Sequence, residues 1–122
     1  MRHDSRLLHA DVAGSIIAAA LEVHRELGSG LLESAYQACL CRELALREIG
    51  FQTEVSLPVG YKGVHLDCGY RMDFVVEGKV AAELKSIDKL LPIHQAQLLT
   101  CLRLSRLRVG LLINFNVRML RD

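Results

Sequence analysis

The chain has 122 residues, of which 51% are hydrophobic and 24% charged, and its formal net charge is +1. This length and composition predict one domain spanning residues 1–122 with a single hydrophobic core, and the sequence contains no repeat or low-complexity segment. No apolar run reaches the roughly 18 residues of a membrane span, and residues 1–15 are too polar for a secretory signal peptide, so we expect a cytoplasmic protein without membrane contact.

Two helices are predicted in the first half of the chain. In residues 11–27 apolar side chains recur at spacings of three and four, which is typical of a helix with one buried face. The Gly-Ser-Gly sequence at 28–30 is expected to end this helix, because glycine tolerates the left-handed backbone of a helix stop. A second helix is predicted at 31–48, ending at Gly50.

The remaining chain predicts strands at 52–60, 69–76 and 79–85, a helix at 93–104 and a buried strand at 107–115. The helix follows Pro92, which suits a helix start, and its buried stripe is expected to be Ile93, Ala96, Leu99 and Leu102. This order of elements predicts an α/β or α+β fold in which helices pack on a sheet.

The cysteines at positions 39, 41, 68 and 101 lack the spacing of a zinc site, since none forms a Cys-x-x-Cys pair. We expect free and mostly buried thiols. The basic residues become denser near the end of the chain, which predicts either a basic surface for nucleic acid or a solvated face; they are Arg103, Arg106, Arg108, Arg118 and Arg121.

The second and third strands predict a hairpin whose register follows from their apolar residues. Met72, Phe74 and Val76 alternate along one strand, and Val80, Ala82 and Leu84 alternate along the other. Both sets share one face of the sheet only if Val76 lies opposite Val80, with a loop at 77–79. This register places Asp73 opposite Glu83 on the other face, together with Lys85.

Two opposed carboxylates are unfavourable unless a cation compensates them. At a separation of about 5 Å and an effective dielectric of about 20, their repulsion is on the order of 3 kcal/mol before screening. Lys85 compensates in part, and a divalent ion such as magnesium is a better match for carboxylate oxygens. The alternative is an ordinary surface hairpin, on which solvent screens Asp73, Glu83 and Lys85.

The sequence also resembles a known superfamily. Asp73, followed after nine residues by Glu83-Leu84-Lys85, is similar to the core of the PD-(D/E)XK nucleases. The segment "GLLESAY" at 30–36 resembles the Gly-x-x-Glu-x-x-Tyr signature of the GxxExxY family within that superfamily, through Gly30, Glu33 and Tyr36. The similarity continues through "YRMDFVVEGKVAAELKS", "LLPIHQAQLLTCLRL" and "GLLINFNV", and covers nearly the whole chain after Ile16.

The resemblance implies a PD-(D/E)XK nuclease-like core of helix, three antiparallel strands, helix and further strand. It implies a magnesium or manganese site formed by Asp73, Glu83 and Glu33, with the backbone carbonyl of Leu84 as a further ligand. Lys85 is implied to act on the attacking water.

A Gln-x-x-x-Tyr element of RecB-like relatives is matched by Gln97, whereas its tyrosine position holds Cys101. A thiol hydrogen-bonds poorly, so Gln97 is carried over and Cys101 is not.

The implied function is metal-dependent hydrolysis of nucleic acid, with DNA the expected substrate and with a homo-oligomer or a delivering protein as further partners. The alternative is a non-catalytic module that keeps the fold and binds nucleic acid or protein.

Several of these residues also have structural explanations. Glu33 suits the first turn of a helix, Tyr36 suits a core, and Gln97 suits an exposed face. His24 and His94 are either outer contacts of the site or structural histidines.

Overall fold

The computed structural model describes residues 8–120. It contains helices α1 (Ala10–Leu27), α2 (Glu33–Leu46) and α3 (Pro92–Ser105), and strands β1 (Phe51–Tyr61), β2 (Val64–Val76), β3 (Val80–Lys85) and β4 (Val109–Asn114). This order confirms the predicted mixed fold. None of these helices combines the length and the hydropathy needed to cross a membrane.

The four strands form one sheet in the order β1-β2-β3-β4. The first three are antiparallel neighbours, whereas β4 runs parallel to β3, with Val80 opposite Val109 and Lys85 opposite Asn114. The parallel pair requires a crossover connection, and α3 supplies it.

The hairpin between β2 and β3 has the predicted register. Val76 lies opposite Val80, and the backbone N–H of Lys79 donates to the carbonyl of Val76 at 3.0 Å. The turn contains two residues with positive φ, Glu77 at 54° and Gly78 at 64°. The alternation of apolar residues therefore predicted the β2–β3 register correctly. A slip of one residue would move the apolar side chains of one strand to the opposite face of the sheet.

Hydrophobic residues pack on both faces of the sheet. One cluster joins α1 and α2 to the sheet, and its fully buried members include Tyr36, Phe74 and Leu84. The second cluster lies under α3 and contains Leu57, Met72, Val75, Ala81 and Cys101.

Met72 does not share a face with Phe74 and Val76, contrary to the sequence expectation. It belongs to the cluster under α3, whereas Phe74 and Val76 belong to the cluster under α1 and α2. The backbone pairing between β1 and β2 is interrupted at Glu54 and Asp73, and Glu54 has a φ of 51°. Because side chains alternate between the faces of a sheet only along a regular strand, this break places Met72 on the face opposite to Phe74 and Val76.

The buried stripe of α3 also differs from the expectation. Ile93 and Leu99 are 55% and 51% exposed, and the residues buried against the sheet are Leu98 and Cys101. Residues 92–102 of α3 are apolar or uncharged, so the apolar periodicity is compatible with burial of more than one face of this helix.

The strands β1 and β2 extend beyond the rest of the sheet. The predicted strand 69–76 begins at Val64, and β1 and β2 are joined by a two-residue turn in which Lys62 and Gly63 have φ values of 47° and 82°. Positive φ at both positions is the geometry of a type I′ hairpin turn. The two-stranded part formed by residues 57–70 is called the arm below.

Candidate functional site

Asp73 and Glu83 lie opposite one another at the point where the backbone ladder between β2 and β3 ends. The last backbone pair is Phe74 with Ala82. At the next position the backbone N–H of Asp73 donates to Oε1 of Glu83 at 3.2 Å, and the N–H of Leu84 donates to Oδ2 of Asp73 at 2.8 Å. Each carboxylate thus accepts from the opposing strand, and these two contacts hold the half-buried pair face to face.

The electrostatics of this pair differ from those of a solvated surface. Burial, with the neighbouring Asp73 carboxylate as a second cause, raises the pKa of Glu83 to about 8. Burial together with the charges of Glu83 and Asp73 also raises the pKa of the Cys101 thiol on α3. The surface-hairpin alternative expects both carboxylates to be fully solvated, whereas each is half-buried and accepts a backbone hydrogen bond.

Lys85 lies at the end of β3 and is half-buried. Among residues 8–120 its ammonium forms no ion pair within 4.0 Å. Its charge nevertheless lowers the pKa values of both Glu83 and Glu33. The Lys85 ammonium is thus close enough to influence both carboxylates and remains available to a ligand.

Glu33, the first residue of α2, faces the same site. It is half-buried, and burial raises the pKa of its carboxyl group. Lys85 opposes that rise, while Asp73 and Glu54 add to it. These influences show that the first turn of α2 brings Glu33 beside carboxylates of β1 and β2.

The loop between α1 and α2 explains why Glu33 occupies this place. Gly30 has a φ of 94°, a left-handed conformation that favours glycine. The hydroxyl of Tyr36 donates to the carbonyl of Gly28 at 2.5 Å and accepts the N–H of Leu31 at 3.3 Å. The hydroxyl of Ser86 donates to the carbonyl of Leu31 at 2.6 Å and thereby fixes the loop to the residue after Lys85.

Tyr36 is a structural residue. It is completely buried, and its ring stacks on Phe115 with the ring centroids 4.5 Å apart. In the signature pattern, the glycine therefore turns the chain, the tyrosine fixes the loop, and the glutamate between them points toward the carboxylate pair.

Glu54 is a member of the site that sequence reasoning missed. It occupies the β1 position opposite Asp73, its carboxylate accepts a hydrogen bond from Nε2 of Gln37 at 2.9 Å, and its charge raises the pKa of Glu33. Glu54 is the only acidic residue of β1, and Gln37 follows Glu33 by one helical turn. The register of β1 was needed to find it, and the sequence did not predict that register.

Within residues 8–120 the side chains of Gln97 and Leu84 form no hydrogen bond to the carboxylates. Gln97 is exposed on α3, one turn before Cys101, and no side-chain hydrogen bond of Gln97 is present within residues 8–120. Leu84 contacts the pair through its backbone N–H, which donates to Oδ2 of Asp73, while its side chain is buried in the core. Cys101, at the position of the expected tyrosine, is buried beneath the carboxylates.

The two histidines considered as outer contacts of the site, His24 and His94, have structural roles. Nε2 of His24 lies 2.8 Å from the carbonyl of Val117, and Nδ1 of His94 accepts the N–H of Leu91 at the start of α3. The carboxylates of Asp67 and Glu77 accept the backbone N–H groups of Gly69 and Gly50, so both act as local turn contacts.

The basic residues near the chain end do not surround the carboxylates. Arg103, Arg106 and Arg108 are exposed at the end of α3 and before β4. The first residue of β4, Val109, pairs with Val80 at the start of β3, whereas Lys85 is at the other end of that strand. Arg118 is exposed after β4, and Arg121 lies outside the described residues. The cysteines are free thiols, of which Cys68 is exposed, Cys101 is buried, and Cys39 and Cys41 are half-buried.

The donor set is compatible with a hard divalent cation. Within residues 8–120 no three His, Cys, Asp or Glu side chains converge as a ready-made metal cage. Asp73 and Glu83 each use one oxygen for a backbone N–H, and a second oxygen of each remains for a ligand. Magnesium is commonly held by one or two carboxylates and retains several waters, so these residues fit it.

A cavity of about 590 Å³ elsewhere in the molecule lacks these groups. It is lined by α1, the loop after β3, β4 and the segment that follows β4, and none of the predicted site residues belongs to it. The carboxylate pair lies outside this cavity, at the end of the strand ladder between β2 and β3.

One of the comparisons with known proteins gives a match. The family model described as the PD-(D/E)XK nuclease superfamily matches residues 10–122. Neither a curated protein nor a solved structure matches the chain at a significant level. The match includes the opposed Asp73 and Glu83, the adjacent Lys85, and all four strands. The chain belongs to the PD-(D/E)XK nuclease superfamily.

Proposed function

We propose that this protein is a magnesium- or manganese-dependent nuclease that hydrolyses phosphodiester bonds of DNA. The observation that carries the proposal is the half-buried pair of Asp73 and Glu83, fixed opposite each other by backbone hydrogen bonds, with Lys85 two residues beyond. Membership of the superfamily supports a nuclease, a nucleic-acid substrate and a divalent metal ion.

Asp73 and Glu83 are proposed to hold the metal. With a pKa of about 8, raised by burial and by the Asp73 carboxylate, Glu83 is expected to keep a proton at neutral pH when no cation compensates the pair. Asp73 and Glu83 would hold a divalent ion in place of that proton, and the positive charge would offset the repulsion between the two carboxylates. Glu33 is proposed to bind the ion directly or through water, and the carbonyl of Leu84 is proposed as a further ligand.

When bound, the ion polarises the scissile phosphate and stabilises the leaving oxygen. The roles of the protein side chains are separate from this. Lys85 is proposed to orient the attacking water and to compensate negative charge that develops on the phosphate oxygens. Its ammonium is suited to this because no carboxylate within the described residues engages it in an ion pair.

Gln97 is proposed to position water or the substrate backbone from α3. It is exposed and lies one turn before Cys101, whose thiol is influenced by the charges of Glu83 and Asp73. Residues one turn apart share a helix face, so Gln97 lies on the side of α3 whose Cys101 is near the carboxylates.

A second candidate function is a module that binds nucleic acid or a protein without cleaving. The replacement of the expected tyrosine by Cys101, and the absence of a side-chain hydrogen bond for Gln97 within residues 8–120, favour it. This candidate keeps the fold and the metal site but predicts no turnover.

The deciding experiment measures cleavage of labelled DNA by purified protein with magnesium, with manganese and with chelator. The proposal predicts cleavage with either ion, none in chelator, and a loss of at least ~100-fold in Lys85→Ala and in Glu83→Gln. Lys79→Ala is the matched control, because Lys79 is an exposed lysine in the β2–β3 turn. We expect it to cleave as the parent does.

Undiminished cleavage by Lys85→Ala refutes the assigned mechanism. Metal-dependent thermal stabilisation without cleavage of single-stranded or duplex DNA, or of RNA, supports the non-catalytic module instead.

A further inference from the structure

The arm leaves the sheet directly beside the carboxylates. Asp73 lies where β2 pairs with β3, and the part of β2 that precedes Met72 pairs only with β1 among the described residues. From Leu57 to the turn at Lys62 the arm spans about five residues, or roughly 17 Å at the rise of a strand. Its base is thus at the candidate site, and its tip projects from the body of the protein.

One face of the arm is apolar and exposed. Val59 pairs with Leu66, and Tyr61 pairs with Val64, so these four side chains lie on the same face. Tyr61 is 59% exposed, Val64 55%, and Leu66 and Tyr70 44% each. A contiguous exposed apolar surface of this kind is typical of an interaction site.

The charged residues of the arm indicate which class of partner it binds. Between residues 55 and 66 Lys62 is the only charged residue, and the segment contains no carboxylate. The Lys62 ammonium lies 5.3 Å from the centre of the Tyr61 ring, at the very tip. The nearest acidic side chain in sequence, Asp67, is turned back onto the N–H of Gly69.

The catalytic surface itself repels a polyanion. The acidic side chains of the candidate site outnumber Lys85, whose charge acts on Glu33 and Glu83; they are Glu33, Glu54, Asp73 and Glu83. Even a bound divalent ion leaves this surface without excess positive charge, so contacts that retain a nucleic acid must come from neighbouring parts of the molecule. Residues 57–66 of the arm combine a cation and an amphipathic aromatic without an acid, and Asp67 is the one acidic residue of the arm.

We propose that the arm binds in the major groove of duplex DNA adjacent to the scissile phosphate, an inference that rests on the proposed nuclease function. A major groove about 12 Å wide admits a two-stranded β-ribbon, and apolar side chains can contact thymine methyl groups there. Lys62 at the tip contacts the phosphate backbone, and the face of Tyr61, Val64 and Leu66 lies against base edges. Cleavage is thereby directed to duplex rather than single-stranded DNA.

The test measures DNA affinity in a background that does not cleave. In the Lys85→Ala protein with magnesium, fluorescence anisotropy reports binding to a labelled duplex of about 24 base pairs and to one of its single strands. Lys62→Ala and Tyr61→Ala are introduced separately, and Lys79→Ala is the control for loss of an exposed turn lysine. Circular dichroism melts verify that each protein is folded.

The proposal predicts tighter binding to the duplex than to the single strand. It predicts that Lys62→Ala and Tyr61→Ala each weaken duplex binding by at least ~5-fold, and that Lys62→Ala reduces the slope of log affinity against log salt by about one. Lys79→Ala is expected to change neither quantity.

Unchanged duplex affinity in both arm variants refutes the proposal while leaving the nuclease assignment intact, provided that the parent enzyme cleaves. Absence of DNA binding by the parent protein refutes both. Light scattering provides a further decisive outcome: if the parent is a dimer that either arm variant converts to a monomer, the apolar face is a contact between two copies and the groove proposal is wrong.

Discussion

Magnesium binding is expected to release a proton from Glu83. The pKa of Glu83 is about 8 because of burial and the Asp73 carboxylate, so at pH 7 about 0.9 of the metal-free molecules hold a proton on this group. At pH 9 the fraction falls to about 0.1. A carboxylate must be deprotonated to bind a hard cation directly, so binding displaces this proton.

Isothermal titration calorimetry measures the release. Magnesium is titrated into the protein at pH 7 in buffers of different ionisation enthalpy, and the observed binding enthalpy is plotted against that quantity. The slope is the number of protons released, and we expect about 0.9 at pH 7 and about 0.1 at pH 9. The apparent affinity should increase by roughly tenfold between pH 6 and pH 7 for the same reason.

Glu33→Gln is the control, because burial also raises the pKa of Glu33. If Glu83 is the source of the proton, the slope at pH 7 survives this substitution even where the affinity falls. Glu83→Gln carries no titrating group at this position, so any residual binding should proceed without release. Binding to the parent protein at pH 7 with a slope near zero refutes the reasoning, because the pair would then bind metal without having held a proton.

Two further predictions concern stability. In chelator, Asp73→Asn should unfold at the parent temperature or above, because the Asp73 charge is one cause of the raised Glu83 pKa and its removal lessens the cost of burying Glu83, while the amide keeps an oxygen for the Leu84 N–H. It should also lose most of the rise in midpoint that magnesium produces, and equal magnesium shifts in both proteins would contradict the site. Tyr36→Phe should lower the free energy of unfolding by about 1–3 kcal/mol, because the carbonyl of Gly28 and the N–H of Leu31 lose their partner while the ring contact with Phe115 remains. Denaturant unfolding measures this loss, and a change under about 0.3 kcal/mol would show that the hydroxyl does not stabilise the loop.

The mixed helix-and-strand class and the β2–β3 register could be predicted from the sequence. Both depend on local pattern, since helix periodicity and strand alternation are written in consecutive residues. The opposition of Asp73 and Glu83 followed directly, because a hairpin with a short turn and two apolar strands has one register that buries both. The resemblance added Glu33, which lies forty residues before Asp73 and has no local pattern linking the two.

The rest depended on packing between distant elements. Met72 lies on the face opposite to the predicted one because the strand pairing is broken where Glu54 adopts a left-handed backbone. Strand propensity does not predict such a break. The buried side of α3 was set by the sheet beneath it, because its sequence offers apolar residues on more than one face.

The hydrogen bonds by which Tyr36 fixes the loop at 28–32, and the presence of Glu54 in the candidate site, likewise depend on how α2, β1 and this loop pack together. Hydrogen bonds such as that between Gln37 and Glu54 join residues whose separation along the chain carries no signal of contact. Local sequence therefore determined the elements and one hairpin, whereas the tertiary structure decided which carboxylates share a site, because the burial and mutual repulsion that perturb them exist only after the helices pack on the sheet.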